Sequence, residues 1–361
     1  MRVVVNPQAS RSGYSEREAL IVSRSLAEDA RREIERWPRY AATPLRRLSR
    51  LAEVLGVGEL LYKDESDRLG QGSFKALGGA YAATLRLRTL AGGEPATLCC
   101  ATDGNHGCSV AFAAQRHGCD CVVFMHEHAS VVKERAILAR GARVVRVQGT
   151  YDDSVRQAAV AAAGKGWVLV PDTSQDALDP TTRHVIQGYG VMMLELLEQL
   201  AGDGPPTHVF VQGGVGGLAA AIAGMCAEAY GARRPRLFVV EPEAAACLLE
   251  SALNGAPSRV NGDLRTAMEM LSTGEASPVA WPVLQTRADV FMTISDDVAL
   301  STARELREIP RDGVLDVGVS GAAGLAGLIE LLKHADAARL LGLGADSRVL
   351  VFGTECGDSA C

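Results

Sequence analysis

The chain has 361 residues, more than the ~250–300 that one hydrophobic core usually serves, so two domains are expected. Hydrophobic residues make up 47% and charged residues 22%, the balance of an ordinary soluble globular protein. Thirty-seven basic against 43 acidic side chains leave a net charge of −6, which argues against nucleic acid or an anionic membrane as partner. No apolar stretch approaches the ~20 residues of a membrane helix, and the MRVVVNPQAS start has too short an apolar run for a signal peptide. A cytoplasmic protein is expected. Nine cysteines, an odd number with no CxxC pair, suit neither a zinc knuckle nor a secreted framework and are expected to be free thiols acting as small hydrophobes.

Residues 1–40 are polar, with a helical stretch predicted over Glu16–Trp37. A short strand is predicted at Leu60–Lys63 and a helix at Ser73–Leu90. A regular alternation follows: strand Thr97–Ala101, helix Asn105–His117, strand Asp120–Met125, helix Ser130–Arg140, strand Arg143–Val147, helix Tyr151–Gly164 and strand Trp167–Val170. Such alternation implies βαβ units and a parallel sheet with helices on its faces. Helix Thr182–Leu200 leads through a Gly/Pro break to strand Thr207–Gln212, helix Leu218–Tyr230 and strand Arg236–Glu241. Residues 243–290 read as less regular. Helices near Asp297–Ile309 and Gly321–His334 precede a last strand, Arg348–Gly353.

Gly213-Gly214-Val215-Gly216-Gly217 lies between a predicted strand and a predicted helix. Backbone N–H groups of such a turn, with the positive end of the following helix, form an anion site, and glycine lets phosphate oxygens approach closely. Which phosphate stays open at this point. Gly214-x-Gly216-x-x-Ala219 also fits a dinucleotide fingerprint, with Glu241 at the end of the next strand as the ribose-binding acid, so a nicotinamide-dependent oxidoreductase is one reading. His126 and His128 flank Glu127, but a metal site there is not expected.

Two further segments bear on the choice: Ser73-Phe74-Lys75-Ala76-Leu77-Gly78-Gly79 and Thr102-Asp103-Gly104-Asn105-His106-Gly107. With the glycine loop they form an ordered triplet that resembles the fold-type-II, tryptophan-synthase-β-like, pyridoxal-phosphate enzymes. Within that superfamily the chain is most similar to the diaminopropionate ammonia-lyases, through Tyr62-Lys-Asp-Glu-Ser, the Asp103 loop, Tyr151-Asp152-Asp153, Asp172-Thr173, Gln187-Gly188-Tyr189, Glu241-Pro242, Gly274-Glu275-x-x-Pro278 and Ser320-Gly321-Ala322-x-Gly324. The likeness runs from about residue 40 onward. Gly72-Ser73, Val319 and Cys356 depart from the lyase pattern, the first toward the dehydratases.

The resemblance implies an α/β architecture of mostly parallel sheets flanked by helices. A small domain, roughly 96–182, is inserted into a large one built from 1–95 and 183–361, with pyridoxal 5′-phosphate in the cleft between them. It implies that Lys75, beside Phe74, carries the cofactor as a Schiff base, that Asn105 contacts its 3′-oxygen, that Gly213, Gly214, Val215, Gly216 and Gly217 hold its phosphate, and that Thr354 faces the pyridine nitrogen. Asp103 and Asp172 correspond to the two family aspartates that take the α-proton from the two stereoisomers of the substrate. Both residues have plainer readings, Asp103 as a helix cap and Asp172 as a turn residue. His106 is expected to pack near the cofactor, and Tyr151-Asp152-Asp153 to be a helix cap with surface contacts. A homodimer is implied by the family alone.

The activity implied is α,β-elimination of ammonia from 2,3-diaminopropionate, giving pyruvate and ammonia. A carboxylate at 103, where dehydratases carry alanine, can act as base and attract the ammonium-bearing side chain. The alternatives are a dehydratase of serine, threonine or another β-hydroxy amino acid, a β-replacement synthase, the nicotinamide enzyme above, and a cofactor-binding homologue without turnover.

Overall fold

The computed structural model describes residues 1–90, 96–102, 104–308 and 312–357. Among these residues eleven strands build two sheets. The strands are β1 (Val3–Val5), β2 (Leu45–Arg47), β3 (Glu59–Asp64), β4 (Thr97–Ala101), β5 (Asp120–His126), β6 (Arg143–Val147), β7 (Val168–Leu169), β8 (His208–Gln212), β9 (Arg236–Pro242), β10 (Val290–Ile294) and β11 (Arg348–Gly353). The larger sheet has seven strands in the order β1-β10-β9-β8-β11-β3-β2, and the smaller has four in the order β6-β5-β4-β7. The smaller sheet is parallel throughout. The larger is parallel except at its two edges, where β1 on β10 and β2 on β3 run antiparallel.

The apolar runs predict this burial. β8, β10 and β11 (HVFVQ, VFMTI, RVLVFG) have no alternation, as suits strands covered on both faces, and every residue of β8 and β10 is buried. One large cluster, including Leu77, Val110, Met192, Ile222 and Leu248, joins the helices between the two sheets. A second lies on the other face of the seven-stranded sheet around Phe210, Phe238 and Leu325.

Several predicted elements change on inspection. The stretch from 16 to 37 is two helices, Glu16–Ala19 and Arg24–Ile34. Ser23 interrupts them with an extended backbone, and its hydroxyl accepts from the N–H of Leu26 to cap the second. The stretch from 243 to 290 is more ordered than it reads, holding helices Cys247–Asn254 and Trp281–Arg287 before strand β10. Among the described residues seven cysteines are free thiols, most of them buried. No helix among the described residues is long and apolar enough to cross a membrane.

Two consecutive glycines fix how the central helices meet. Helix Lys75–Arg88 lies between helices Asn105–His117 and Pro180–Gln199. A Cβ on Gly78 would stand 2.4 Å from Cε1 of Tyr189 and 2.7 Å from the Val185 carbonyl oxygen, while one on Gly79 would stand 2.5 Å from Oγ of Ser109. Side chains there would force both neighbours away from the helix that begins at Lys75.

Candidate active site

Parallel strands point their carboxyl ends toward one crevice, and ligands of open α/β sheets bind there. Here β8 leads into Gly213–Gly217, β11 into Thr354-Glu355, β4 into the loop before Asn105, and β7 into Asp172. These segments line one cleft together with Phe74, Lys75, Thr102, His106, Tyr151, Tyr189 and Gln212. It is open to solvent on one side and lined by both polar and apolar groups, the character of a small-molecule or cofactor site.

The two sheets contribute opposite walls. Lys75 starts its helix directly after Phe74, whose ring centroid lies 5.9 Å from the lysine Nζ and 4.7 Å from the Tyr189 ring centroid. Across the cleft Lys75 Nζ donates to Asp172 Oδ2 at 2.8 Å, and the Tyr151 hydroxyl donates to Asp172 Oδ1 at 3.1 Å. Burial pushes the Asp172 carboxyl up, but the Lys75 ammonium, His106 and these hydrogen bonds outweigh it and hold the group well below the ordinary carboxylate range. The turn-residue reading of Asp172 is thus too modest: its carboxylate faces into the site.

Thr102 braces the neighbouring loop, its Oγ1 accepting from the N–H of Gly104 at 2.9 Å and of Gly107 at 3.3 Å. Asp103, expected to act as a base, lies outside the described residues. Asn105 follows at the helix start and donates its Nδ2 to Glu355 Oε2 at 2.5 Å. His106 is buried, and burial lowers its pKa. With Nε2 donating to the Val170 carbonyl oxygen at 2.8 Å, it packs against the cleft wall.

The glycine loop has the form an anion needs. Gly216 has φ +104°, where a side chain strains the backbone, and a Cβ there would stand 2.8 Å from Leu284 Cδ1. A Cβ on Gly213 would stand 2.7 Å from Val239 Cγ1, whereas Gly214 and Gly217 have nothing nearer than 3.6 Å. The loop is packed on its far side and open on the other. The helix that follows, Gly217–Tyr230, has no side-chain cap, so its first N–H groups are available to an anion. At the far end Gln212 Nε2 donates to the carbonyl oxygens of Gly321 and Phe352 and to Thr354 Oγ1 at 3.2 Å. Gln212 Oε1 is buried without a hydrogen-bond partner. An uncapped helix start, a bare glycine cradle and a lysine amine in one cleft fit a phosphorylated aldehyde cofactor.

Two sequence readings change here. Glu241 is not poised for a ribose: it is fully buried and accepts from the N–H groups of Leu248 and Leu249 at 2.7 and 2.8 Å, anchoring the helix beside the glycine loop. The cap expected of Tyr151-Asp152-Asp153 is made by Asp153, which forms a capping box with Thr150, while Tyr151 takes no part in it and lines the cleft. Asp152 does make the surface contact expected of it, with Arg259 at 3.1 Å. Gln212 and Glu355 went unnoticed in the sequence; the positions of both, at the carboxyl ends of central strands, were the available signal. His126 and His128 lie 6.3 Å apart, ring to ring, and no group of metal-ligating side chains occurs among the described residues.

Comparison with known proteins agrees with this geometry. Residues 37–354 match the family model for pyridoxal-phosphate dependent enzymes. The diaminopropionate ammonia-lyase of Salmonella typhimurium is 35% identical over 355 residues, covering 90% of this chain and 87% of the relative. Among solved structures, Escherichia coli diaminopropionate ammonia-lyase in complex with an aminoacrylate-PLP azomethine reaction intermediate superposes with TM-score 0.90 and 33% identity, over 99% of this chain and 94% of that one. The same enzyme in complex with D-serine gives TM-score 0.91 and 33% identity, with the same coverage.

Proposed function

The chain belongs to the family of pyridoxal-phosphate dependent enzymes, and from that premise we propose that it is a lyase that eliminates ammonia from 2,3-diaminopropionate. With one water consumed, the products are pyruvate and two molecules of ammonia. The observation that carries the reading is the meeting of Lys75 and Asp172 at 2.8 Å beside the open glycine loop.

Pyridoxal 5′-phosphate supplies, when bound, the electron sink that makes the substrate's α C–H acidic. Lys75 would hold the aldehyde carbon through its Nζ, and Gly213–Gly217 with the start of the following helix would hold the phosphate. Asn105, Thr354 and Phe74 would hold the ring. Asp172, ionised and held by Tyr151, would take the α-proton on a carboxylate oxygen. Asp103 is the second proposed base, for the other stereoisomer. The β-amino group leaves most readily as ammonia from its protonated form, which a neighbouring carboxylate favours by attracting the ammonium.

The same reading carries a cleft between a small domain of about residues 96–182 and a large domain made of the rest, a cytoplasmic location, and a homodimer that sedimentation would reveal. The test of activity is direct. Protein incubated with pyridoxal phosphate should show a visible absorption band, lost in Lys75→Ala. It should release pyruvate from diaminopropionate orders of magnitude faster than from serine. Preference for serine by that margin would replace the reading with a dehydratase.

A further inference from the structure

We infer that Glu355 is a positioning residue that fixes which end of the Asn105 amide faces the cofactor ring and joins the lysine segment to the asparagine loop. The inference rests on the reading of the cleft as a pyridoxal-phosphate site and extends it to Glu355, which that reading leaves without a role.

An asparagine amide has a donor end and an acceptor end that are nearly the same in shape, so its neighbours decide its orientation. A carboxylate only accepts. Glu355 Oε2 lies 2.5 Å from Asn105 Nδ2, and both side chains are buried, so water cannot exchange for either partner. Nδ2 has two hydrogens. One goes to Glu355, and the other remains on the donor end of a residue that lines the cleft, the polarity required by an oxygen anion on the ring.

The backbone of Glu355 is itself tied to the lysine segment. Glu355 pairs with Ser73 in an antiparallel bridge, flanked by bonds from Phe74 N to Thr354 O at 3.1 Å and from Cys356 N to Gly72 O at 2.9 Å. Two glycines leave room for its side chain: a Cβ on Gly318 would stand 2.7 Å from Glu355 Oε1, and one on Gly321 would stand 3.1 Å from its Cγ. Glu355 therefore connects three pieces, namely the turn before Lys75, the Gly318–Gly321 helix start, and Asn105 at the edge of the four-stranded sheet. Its charge also lies one amide away from the ring position that Asn105 would contact. Among the described residues, Lys75, His106, Asp172, Tyr151 and Tyr189 are the other titratable groups lining the cleft.

The test follows the bound cofactor by its spectrum. In E355Q the amide can flip, because glutamine both donates and accepts, and one negative charge is gone. The dissociation constant for pyridoxal phosphate should rise about tenfold, and the pH midpoint of the visible band should fall by about one unit. N105A should weaken binding as well, and E355Q in the N105A background should weaken it no further. E355D keeps the charge but draws it back from Asn105 Nδ2 by one methylene, beyond the 2.5 Å contact. It should weaken binding in the parent but not in N105A, so the inference stays testable if E355Q fails to fold. Unchanged affinity and midpoint in E355Q would overturn the inference, as would a full E355Q effect without Asn105. A parent protein with no visible band on adding pyridoxal phosphate would instead overturn the reading of the cleft itself.

Discussion

Lys75 and Asp172 face each other at 2.8 Å from opposite walls of the cleft, the lysine on a helix entered from the seven-stranded sheet and the aspartate just past β7 of the four-stranded one. The pair accounts for an ionised carboxylate in a buried place, because the ammonium offsets the desolvation that would otherwise protonate it. It also sets a carboxylate beside the amine that would carry the cofactor.

Asp172→Asn keeps the shape and removes the base. The elimination rate, followed as pyruvate release, should drop by about 100- to 10,000-fold for the stereoisomer that Asp172 serves, with the visible cofactor band retained. An undiminished rate with both enantiomers would remove Asp172 from the chemistry.

Tyr151 should matter through Asp172. Its hydroxyl donates to Oδ1 at 3.1 Å, and a hydrogen bond to a charged group contributes about 1.5–3 kcal/mol. Tyr151→Phe should therefore slow turnover by roughly ten- to a hundredfold, and should have almost no effect once Asp172 is asparagine. Equal losses in both backgrounds would show that Tyr151 acts elsewhere.

The cofactor cradle was legible because its parts are local. A glycine run after an apolar strand, a lysine before small residues and an asparagine behind a glycine each depend on a few neighbouring residues. The cleft role of Tyr151 was hidden because it stands beside Asp153, which does cap the helix together with Thr150, and the whole segment reads as a cap. Strand β10 was missed because VFMTI is a short apolar run whose partner, β9, lies some fifty residues earlier. The Glu355–Asn105 contact spans 250 residues, and no local pattern encodes it.

A buried ionic cluster was hidden for the same reason. Arg68 donates to both oxygens of Glu65 at 2.8 Å and to both oxygens of Glu195 at 2.7 Å, and Lys63 reaches Glu195 at 3.1 Å. The ion-paired side chains of Lys63, Glu65, Arg68 and Glu195 are fully buried. Two positive and two negative charges balance, so removing one partner strands the others. Arg68→Ala should cost about 3–5 kcal/mol, read as a lower urea midpoint. A loss under about 1 kcal/mol would mean that water enters to replace the guanidinium.

Glu241 should make stability fall with rising pH, the reverse of a salt-bridged carboxylate. Burial pushes its carboxyl up to about 8, even though the N–H groups of Leu248 and Leu249 favour the charged form. In the unfolded chain the same group titrates near ~4.3. Between those values the native state holds a proton that the unfolded state has released, so the stability of the native state declines as pH rises across the window, by at most about 5 kcal/mol. Glu241→Gln keeps a side-chain acceptor near those N–H groups but cannot ionise. Its urea midpoint should vary less steeply between pH 5 and pH 8 than that of the parent, lying below the parent near pH 5 and approaching or passing it near pH 8. Parallel midpoint curves for the two proteins would show that the carboxyl at 241 titrates alike in the folded and unfolded states.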